Sequence, residues 1–300
     1  MNKKGKITIG IPVFNNEKII KKRIDDITAQ SYQNFTIIIS DNNSTDKTRE
    51  ICEKISQNDD RIVFFHHEQN MGPYWNFNFV LDKAETEYFV WVAGDDIWSK
   101  KFLEKNIKFL EENDDYVGSI GETSLFNRNY NENIKLIENS KKYKYVMPTN
   151  DNDVDERITS YLNFNMGVQF YSIFRTKDIK FANFYNEKPN FGMWQADFAT
   201  ILKILKRGKL HVDLESFYYK EVSETSHSIT NYMKKLKFTK WEIQFSKTKF
   251  STWFFKEFGS KLFMKNIQFF IILNLKWIIS IFGEQIRMCK RKIAGQPTYW

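Results

Sequence analysis

Cysteine is scarce in this sequence: Cys52 and Cys289 are the only two in 300 residues, and they lie far apart. Neither has a second cysteine or a histidine at the spacing that zinc ligands need. The sequence therefore predicts neither a disulfide framework nor a zinc site, and a reducing compartment is the expected environment.

The glycine-rich signatures of two common nucleotide sites are also missing. No Gly-x-Gly-x-x-Gly follows the first apolar run, and no Gly-x-x-x-x-Gly-Lys-Ser/Thr occurs anywhere in the chain. These absences argue against a dinucleotide-binding Rossmann site and against a P-loop. A nucleotide diphosphate bound by this chain would instead need a metal ion to neutralise its charge.

A signal peptide is not expected either. Residues Met1–Lys6 are basic, but the apolar stretch Ile7–Phe14 is short and is interrupted by Pro12. No small-residue cleavage pattern follows it, so the stretch is interpreted as a β-strand.

The net charge of +8 is distributed unevenly, in a chain whose 42% hydrophobic and 17% aromatic content excludes intrinsic disorder. From residue 231 onward, 14 Lys and Arg face three acids, which gives +11, whereas residues 1–230 carry −3. Because the larger part is mildly acidic, no basic groove for nucleic acid is expected, and a nucleic-acid-binding protein is only a remote alternative.

The first hundred residues repeat one pattern, in which a short apolar run, a polar loop and a helical stretch follow one another. Runs this short, rich in β-branched and aromatic residues, suit strands buried on both faces. The alternation predicts βαβ units and an α/β fold with a mainly parallel, Rossmann-like sheet flanked by helices. The expected strands are Ile7–Val13, Phe35–Ser40, Arg61–His66 and Tyr88–Ala93, and the expected helices are Glu17–Gln30, Thr45–Ser56, Tyr74–Lys83, Phe102–Asn113 and Phe191–Leu205.

Polar loops follow the four expected strands, and the carboxyl ends of parallel strands meet at one edge of a sheet, where ligands bind. These loops are Phe14–Asn16, Asp41–Asp46, His67–Pro73 and Gly94–Trp98. Asp41 could accept hydrogen bonds from a base or a ribose. Its alternative role is an Asx turn, with Ser44 or Thr45 capping the next helix.

Asp95 and Asp96 are adjacent carboxylates directly after a buried apolar run. Two carboxylates this close are tolerated mainly when a cation or hydrogen-bond donors face them. Their hard oxygen atoms suit Mg²⁺ or Mn²⁺, ions that keep coordination positions open for phosphate oxygens. The alternative is a solvated acidic turn that caps the following helix.

Taken together and in order, these segments resemble the family 2 glycosyltransferases with the GT-A fold. The resemblance covers residues 5–115 and is specific as a combination, although each piece alone is weak. Family members transfer a sugar from a nucleotide-activated donor to an acceptor hydroxyl, with inversion at the anomeric carbon. The segments that carry the resemblance are Ile9–Asn15, Glu17, Ser40–Asp46, Asn70–Gly72 and Ala93–Asp96.

The resemblance implies roles for individual residues. A Mn²⁺ or Mg²⁺ cofactor would be held by Asp95, Asp96 and His227, although a lone histidine is more often structural or exposed. Ala93 stands where the family often has its first carboxylate, so which of the two acids binds the metal and which the ribose stays open. The implied nucleotide-binding residues are Pro12, Val13, Phe14, Asn15, Glu17, Asp41, Asn43, Asn70, Gly72 and Asp95.

Asp197 is the candidate catalytic base. Family members place the base in an acidic pair at the start of a helix, and here Ala196 replaces the first acid of the pair. Inverting transfer needs one base close to the acceptor oxygen. The alternative for Asp197 is an ordinary helix N-terminal acid. Arg175 is expected either to orient phosphate or to be a surface charge.

The basic tail is expected to form an amphipathic helix. Twelve of the sixteen residues in Ile267–Phe282 are apolar, yet a helix of that length spans only about 24 Å of a hydrocarbon core that is about 30 Å thick. A helix lying in the membrane interface is therefore favoured over a span, with Lys290–Lys292 against anionic headgroups. The alternative is packing on the protein's own core or on a second subunit. The polar stripe predicted for this helix contains Lys261, Lys265, Gln268, Lys276, Ser280, Glu284, Arg287 and Arg291.

The domain and function predictions follow from the resemblance. We expect a glycosyltransferase domain over residues 1–230, with a nucleotide-sugar half (1–115) and an acceptor half (116–230), and a helical tail over 231–300. The enzyme would use a nucleotide-sugar, with a UDP-sugar favoured, and a glycan or lipid-linked acceptor in cell-surface glycan synthesis. It would lie in the cytoplasm, peripherally on the inner face of the cell membrane, with residues 255–300 as the contact.

Two alternatives stay open for the activity. A nucleotidyltransferase would be expected to show a glycine-rich, basic phosphate loop where this chain has Pro12–Asn15. A non-catalytic sugar-nucleotide binder would lack metal-dependent turnover of the sugar nucleotide.

Overall fold

The computed structural model describes residues 5–93, 96–126, 149–164, 167–183, 193–221 and 240–293. The chain divides into two compact units. The first comprises Met1–Glu187 and Asp197–Ser223, and the second comprises Lys188–Ala196 and Glu224–Trp300. The predicted domain boundary near residue 230 stays a prediction.

The first unit is built on an eight-stranded sheet with the strand order β3-β2-β1-β4-β7-β6-β8-β5. Its strands are β1 Ile7–Val13, β2 Phe35–Asp41, β3 Ile62–His66, β4 Tyr88–Trp91, β5 Ile97–Trp98, β6 Tyr116–Phe126, β7 Ile173–Arg175 and β8 Lys209–Glu221. Its helices are α1 Ile20–Thr28, α2 Thr48–Ser56, α3 Pro73–Asp82, α4 Phe102–Glu112, α5 Val154–Phe164, α6 Thr176–Ala182 and α7 Met193–Arg207, of which the last begins in the second unit.

Strands β1 to β4 form the parallel part of the sheet, as the alternating pattern predicts. β1 pairs with β2 from Ile7↔Phe35 to Val13↔Asp41, and it pairs with β4 on its other side. The apolar residues of β1 are buried, which explains why these strands are continuous apolar runs. The carboxyl ends of the four strands therefore lie along one edge.

The second half of the sheet is mixed. β6 and β8 are parallel, whereas β7 is antiparallel to β4 and β6, and β5 is antiparallel to β8. A parallel return to the sheet needs a crossover of a dozen or more residues, and the connection from β4 to β5 is too short for one. The predicted α/β fold is confirmed: β1 to β4 pair in parallel throughout, and β6 with β8 adds a parallel pair to the mixed half.

The second unit contains α8 Lys240–Gln244, α9 Ser246–Lys265 and α10 Ile267–Ile293. Aromatic side chains pack α9 against α10, including Phe254 against Phe270 with ring centroids 4.9 Å apart. Trp277 Nε1 of α10 donates a hydrogen bond to the Ile243 carbonyl of α8, 3.1 Å away. The three helices are therefore held together by buried contacts.

The chain bends sharply between α9 and α10. Within the described residues, no helix taken singly has the length and apolar composition of a membrane span. Helix α9 and the segment Ile267–Gly283, which meet at an angle of 107°, have the length and the apolar composition of a membrane span only when the two are counted together. The predicted polar stripe along one helix is wrong, because the bend places Lys261 and Lys265 on α9 and Lys276 and Arg287 on α10.

Candidate functional site

The loops after β1 and β2 are joined by hydrogen bonds at the carboxyl edge of the sheet. The Asn15 amide donates to Ser44 Oγ at 2.9 Å, and the Thr45 amide donates to Asn15 Oδ1 at 2.8 Å. Asn15 and Asn43 adopt positive φ values of 55° and 60°, a left-handed conformation that asparagine tolerates better than most residues. The two loops thus form one continuous polar surface.

Asp46 connects this polar surface to the start of α2. Its carboxylate accepts hydrogen bonds from the amides of Glu17 at 3.1 Å and Thr48 at 2.9 Å. Partial burial works to raise the pKa of Asp46, but these hydrogen bonds outweigh burial and hold the pKa below its ordinary value. The prediction that Ser44 or Thr45 caps α2 is wrong, because Asp46 bonds the amide of its first residue.

Asp41 is completely buried at the end of β2. The Ser44 amide lies 3.3 Å from both carboxylate oxygens, and the Ser44 hydroxyl donates to Oδ1. His66 Nδ1, from the paired position on β3, lies 2.9 Å from Oδ2. The Asx-type turn is therefore present. A nucleoside could reach Asp41 only if Ser44 moved.

A second buried network ties α3 to the same edge. Asn76 Nδ2 donates to the carbonyls of Ser40 at 3.0 Å and Val13 at 3.3 Å, and Ser40 Oγ donates to Asn76 Oδ1 at 2.5 Å. His67 Nε2 lies 2.8 Å from Ser40 Oγ. Since the Ser40 proton points at Asn76, His67 is the donor. Burial, with the neighbouring His66, lowers the pKa of His67 below its ordinary value, so the ring is kept neutral.

The loop after β3 joins the cluster through Asn42 and Asn70. Asn42 Nδ2 donates to Asn70 Oδ1 at 3.0 Å, and the amides of Met71 and Gly72 donate to Asn42 and Asn70 at 2.8 and 2.9 Å. Gly72 has φ 85°, a conformation that favours glycine. It immediately precedes Pro73, the first residue of α3. Asn70 and Gly72 are thus fixed beside the loop that follows Asp41.

Exposure divides the predicted nucleotide-binding residues into two groups. Phe14 is 44% exposed, and Asn15 and Asn70 are also exposed, whereas Pro12, Glu17, Asn43 and Gly72 are partly exposed. Val13 and Asp41 are buried. The exposed and partly exposed residues can touch a ligand directly in this structure, whereas the buried pair, Val13 and Asp41, shapes the surface beneath them.

Asp96 is buried after β4 and is held from the other half of the sheet. Tyr218 donates its hydroxyl proton to Asp96 Oδ2. The antiparallel pairing of β5 with β8 places Trp98 opposite Tyr218, which brings the tyrosine to this strand end. Tyr218 was not among the predicted site residues, because a contact over 122 positions leaves no local signal in the sequence.

The predicted metal site is described only in part. Asp96 supplies one hard oxygen ligand of the right chemistry, but Asp95 and His227 lie outside the described residues. In the part of the chain that the structure describes, no group of three His, Cys, Asp or Glu side chains could hold a metal ion. The metal ligands therefore stay a prediction.

Asp197 lies in the second turn of α7, which begins at Met193 and has no acid in its first turn. It is partly exposed. Burial, and then the charge of Asp197, raises the pKa of Tyr161 on α5 well above its ordinary value. The carboxylate of Asp197 is thus close to that phenol. Its position does not fit the alternative of a first-turn acid that interacts with the helix dipole.

Arg175 is neither a phosphate ligand nor a simple surface charge in this structure. It lies at the opposite end of the sheet, paired with Tyr88 at the start of β4. Its guanidinium donates to the carbonyls of Tyr116 at 2.9 Å and Leu110 at 2.6 Å. Arg175 therefore links the end of α4 to the sheet through hydrogen bonds.

Comparison with known sequences identifies relatives. The sequence model of Glycosyl transferase family 2 matches residues 8–179. An uncharacterized glycosyltransferase of Haemophilus influenzae is 35% identical over 140 residues, which are 47% of this chain and 55% of that protein. A Campylobacter jejuni protein named GalNAc(5)-diNAcBac-PP-undecaprenol beta-1,3-glucosyltransferase is 34% identical over 92 residues, which are 30% of each chain. The matches thus span about half of the first relative and a third of the second.

Comparison with solved structures supports the fold. Staphylococcus aureus TarS 1–349 in complex with UDP-GlcNAc has a TM-score of 0.56 and 19% identity, covering 81% of this chain and 66% of that one. The Pyrobaculum calidifontis mannosyltransferase PcManGT in complex with GDP-Man and Mn²⁺ has a TM-score of 0.59 and 14% identity, covering 99% and 77%. These similarities confirm the predicted GT-A fold.

Proposed function

The chain belongs to glycosyltransferase family 2, and we propose that it transfers a sugar from a nucleotide-sugar to an acceptor hydroxyl with inversion at the anomeric carbon. The observation that carries this proposal is the convergence of the loops after β1, β2 and β3 into one hydrogen-bonded polar surface, with Asp96 after β4. Parallel sheets bind their ligands at that edge.

The donor proposed is a UDP-sugar. Phe14 is an exposed aromatic side chain in the loop after β1, and Asn15 and Asn70 present exposed side-chain amides on the same edge of the sheet. One structurally similar protein was solved with UDP-GlcNAc. Asp41 would contact the base after Ser44 moves aside, and His66 Nδ1, 2.9 Å from Oδ2, would hold the carboxylate in the correct orientation.

The diphosphate is the group that needs neutralising. No glycine-rich phosphate loop is present in the sequence, so we propose that Asp96, with Asp95 and His227, holds Mn²⁺ or Mg²⁺ there. A similar solved structure contains Mn²⁺. When bound, the ion would stabilise negative charge on the leaving diphosphate. Tyr218 would orient Asp96 for this contact.

Asp197 is the proposed general base. It would take the proton from the acceptor hydroxyl while the acceptor oxygen forms a bond to the anomeric carbon. The bond from that carbon to the diphosphate oxygen breaks with its electron pair leaving on the diphosphate. Its place beyond the first turn of α7 and its partial exposure support this role.

The acceptor proposed is a lipid-linked glycan in cell-surface glycan synthesis. Its support is the name of the Campylobacter jejuni relative, which specifies an undecaprenol-linked glycan.

The Asp197→Asn variant tests this function. We expect transfer from a UDP-sugar to fall by about 10³-fold, since a positioned general base contributes about 10² to 10⁴, while UDP binding is unchanged. Glu156→Gln is the matched control, because Glu156 is an exposed acid in the first turn of α5, and it should leave the rate unaltered. An Asp197→Asn enzyme with the rate of the wild type would contradict the assignment. Sugar-nucleotide binding without metal-dependent turnover would indicate the non-catalytic alternative.

A further inference from the structure

The helix α10 exposes a stripe of large apolar side chains. Seven of them are between 47% and 69% exposed. At 3.6 residues per turn, their positions fall within an arc of about 120°. This is the width of an apolar face that would normally be buried against a partner. The seven residues are Ile271, Ile272, Leu275, Ile278, Ile279, Phe282 and Ile286.

This exposed face is not the one that packs within the second unit. Phe270 and Trp277 of α10 are buried, and they contact α9 and α8. Asn274, between them on the same side, donates to Ser251 Oγ of α9 at 3.0 Å. α10 thus has two apolar sides, one used for packing and one left exposed.

Positive charge lies along one border of the exposed face. Lys276, Arg287 and Lys290 are exposed, and on the same helical projection they fall between about 100° and 160° from Ile271. Over residues 246–293 the sequence has ten Lys and Arg against two acids. α9 adds exposed Phe255 and Met264 beside exposed lysines.

We propose that the exposed face of α10 docks on an anionic lipid bilayer, with the helix lying in the plane of the interface. The apolar stripe would enter the boundary between headgroups and acyl chains, and the bordering cations would contact lipid phosphates. A second copy of the chain fits less well, since each copy would bring the same net charge of +8 from residues 246–293 to the contact. This proposal does not rest on the glycosyltransferase activity.

Vesicle flotation of the full chain tests the proposal. The probes are vesicles of phosphatidylcholine with and without phosphatidylglycerol, at low and high salt. Ile279→Glu places a charge in the apolar stripe and should weaken binding about tenfold, because burial of one isoleucine is lost. Ser280→Glu is the matched control. It adds the same charge at the next exposed position of α10, outside the stripe but beside the bordering cations, so it should weaken binding less than Ile279→Glu does, and only at low salt, where electrostatic attraction is not screened.

A second variant guards against misfolding. Replacing Lys276, Arg287 and Lys290 with glutamine leaves the apolar stripe intact and should abolish the preference for phosphatidylglycerol and the sensitivity to salt. Three results would overturn the proposal: no vesicle binding by the wild type, equal losses for Ile279→Glu and Ser280→Glu, or a wild-type dimer that Ile279→Glu dissociates without any vesicle binding. Light scattering of each variant separates the last case.

Discussion

In most folded proteins apolar residues are buried and polar residues are exposed. The carboxyl edge of β1 to β4 and the helix α10 both depart from this pattern, but in opposite ways. At the edge, polar groups such as Asp41 and Asn76 are buried and hydrogen-bonded. On α10, large apolar groups such as Ile279 and Phe282 face the outside. Buried polar groups and exposed apolar patches are the informative exceptions in a folded chain.

This difference supports the proposal that the two regions bind different kinds of partner. A buried, fully bonded polar network holds backbone loops in one arrangement, which suits recognition of a small polar molecule. An exposed apolar face with a basic border has no such geometry, and it suits a broad, non-directional surface.

The largest effect is expected from removing a buried charge at the edge. Asp41→Ala leaves His66 and Ser44 without their acceptor, and it should lower the free energy of unfolding by about 3 kcal/mol. Asp25→Ala, which removes an exposed acid paired with Lys21 on α1, should cost about 0.5 kcal/mol or less. Urea unfolding of both variants measures the difference. Similar losses would mean that the buried network is not the stabilising feature of this edge.

Replacement by alanine should lower the stability at one glycine and raise it at another. Gly72→Ala forces a side chain into a backbone with φ 85° and ψ 162°, and it should destabilise the first unit by about 2 kcal/mol. Gly283 lies within α10, where, among the residues that the structure describes, an added Cβ would meet only Arg287, at 3.7 Å. Gly283→Ala should therefore stabilise the helix by about 1 kcal/mol.

Thermal unfolding of the two glycine variants gives the sign of each change. A loss of stability in Gly283→Ala would show that α10 is less regular than described. No loss in Gly72→Ala would show that the loop before α3 is not held in its positive-φ conformation.

The smallest effect concerns Lys247 on α9, a cation that the second unit partly buries. Burial lowers its pKa from 10.5 to about 8. The unfolded chain therefore binds this proton more readily, and stability falls as the pH drops from 10.5 to 8. Lys247→Met removes that cost and should stabilise the protein by about 1 kcal/mol at pH 7, after allowance for partial exposure. Denaturant unfolding of the wild type and of Lys247→Met at pH 7 and pH 10 measures this effect. The stability gained by the variant should be smaller at pH 10.

The sequence predicted the local features of both regions well. The apolar runs that became β1 to β4 and the polar loops after them follow from strand length and composition, and β1 matches its predicted bounds. The apolar run from Ile267 likewise became the start of α10. These features depend on residues that are close together in the chain.

Long-range features could not be predicted. The pairing of β5 with β8 that brings Tyr218 to Asp96, and the His66 contact with Asp41, join residues 122 and 25 positions apart. The 107° angle between α9 and α10 was also missed, because no proline lies between Ser260 and Ile267, and Gly259, where the backbone of α9 leaves the helical conformation (φ 84°, ψ 167°), does not by itself set that angle. In each case tertiary packing decides which of several locally acceptable arrangements forms.

Nucleotide-sugar binding by the polar edge is tested most directly by thermal unfolding of the full chain with UDP-, GDP-, dTDP- and CMP-sugars, with and without Mn²⁺. Ile279→Glu serves as the comparison, because its change lies on α10 and should leave donor binding intact. We predict that a UDP-sugar with Mn²⁺ raises the Tm of both proteins by about 5 °C at saturating concentration. No shift with any sugar nucleotide would contradict the proposed function.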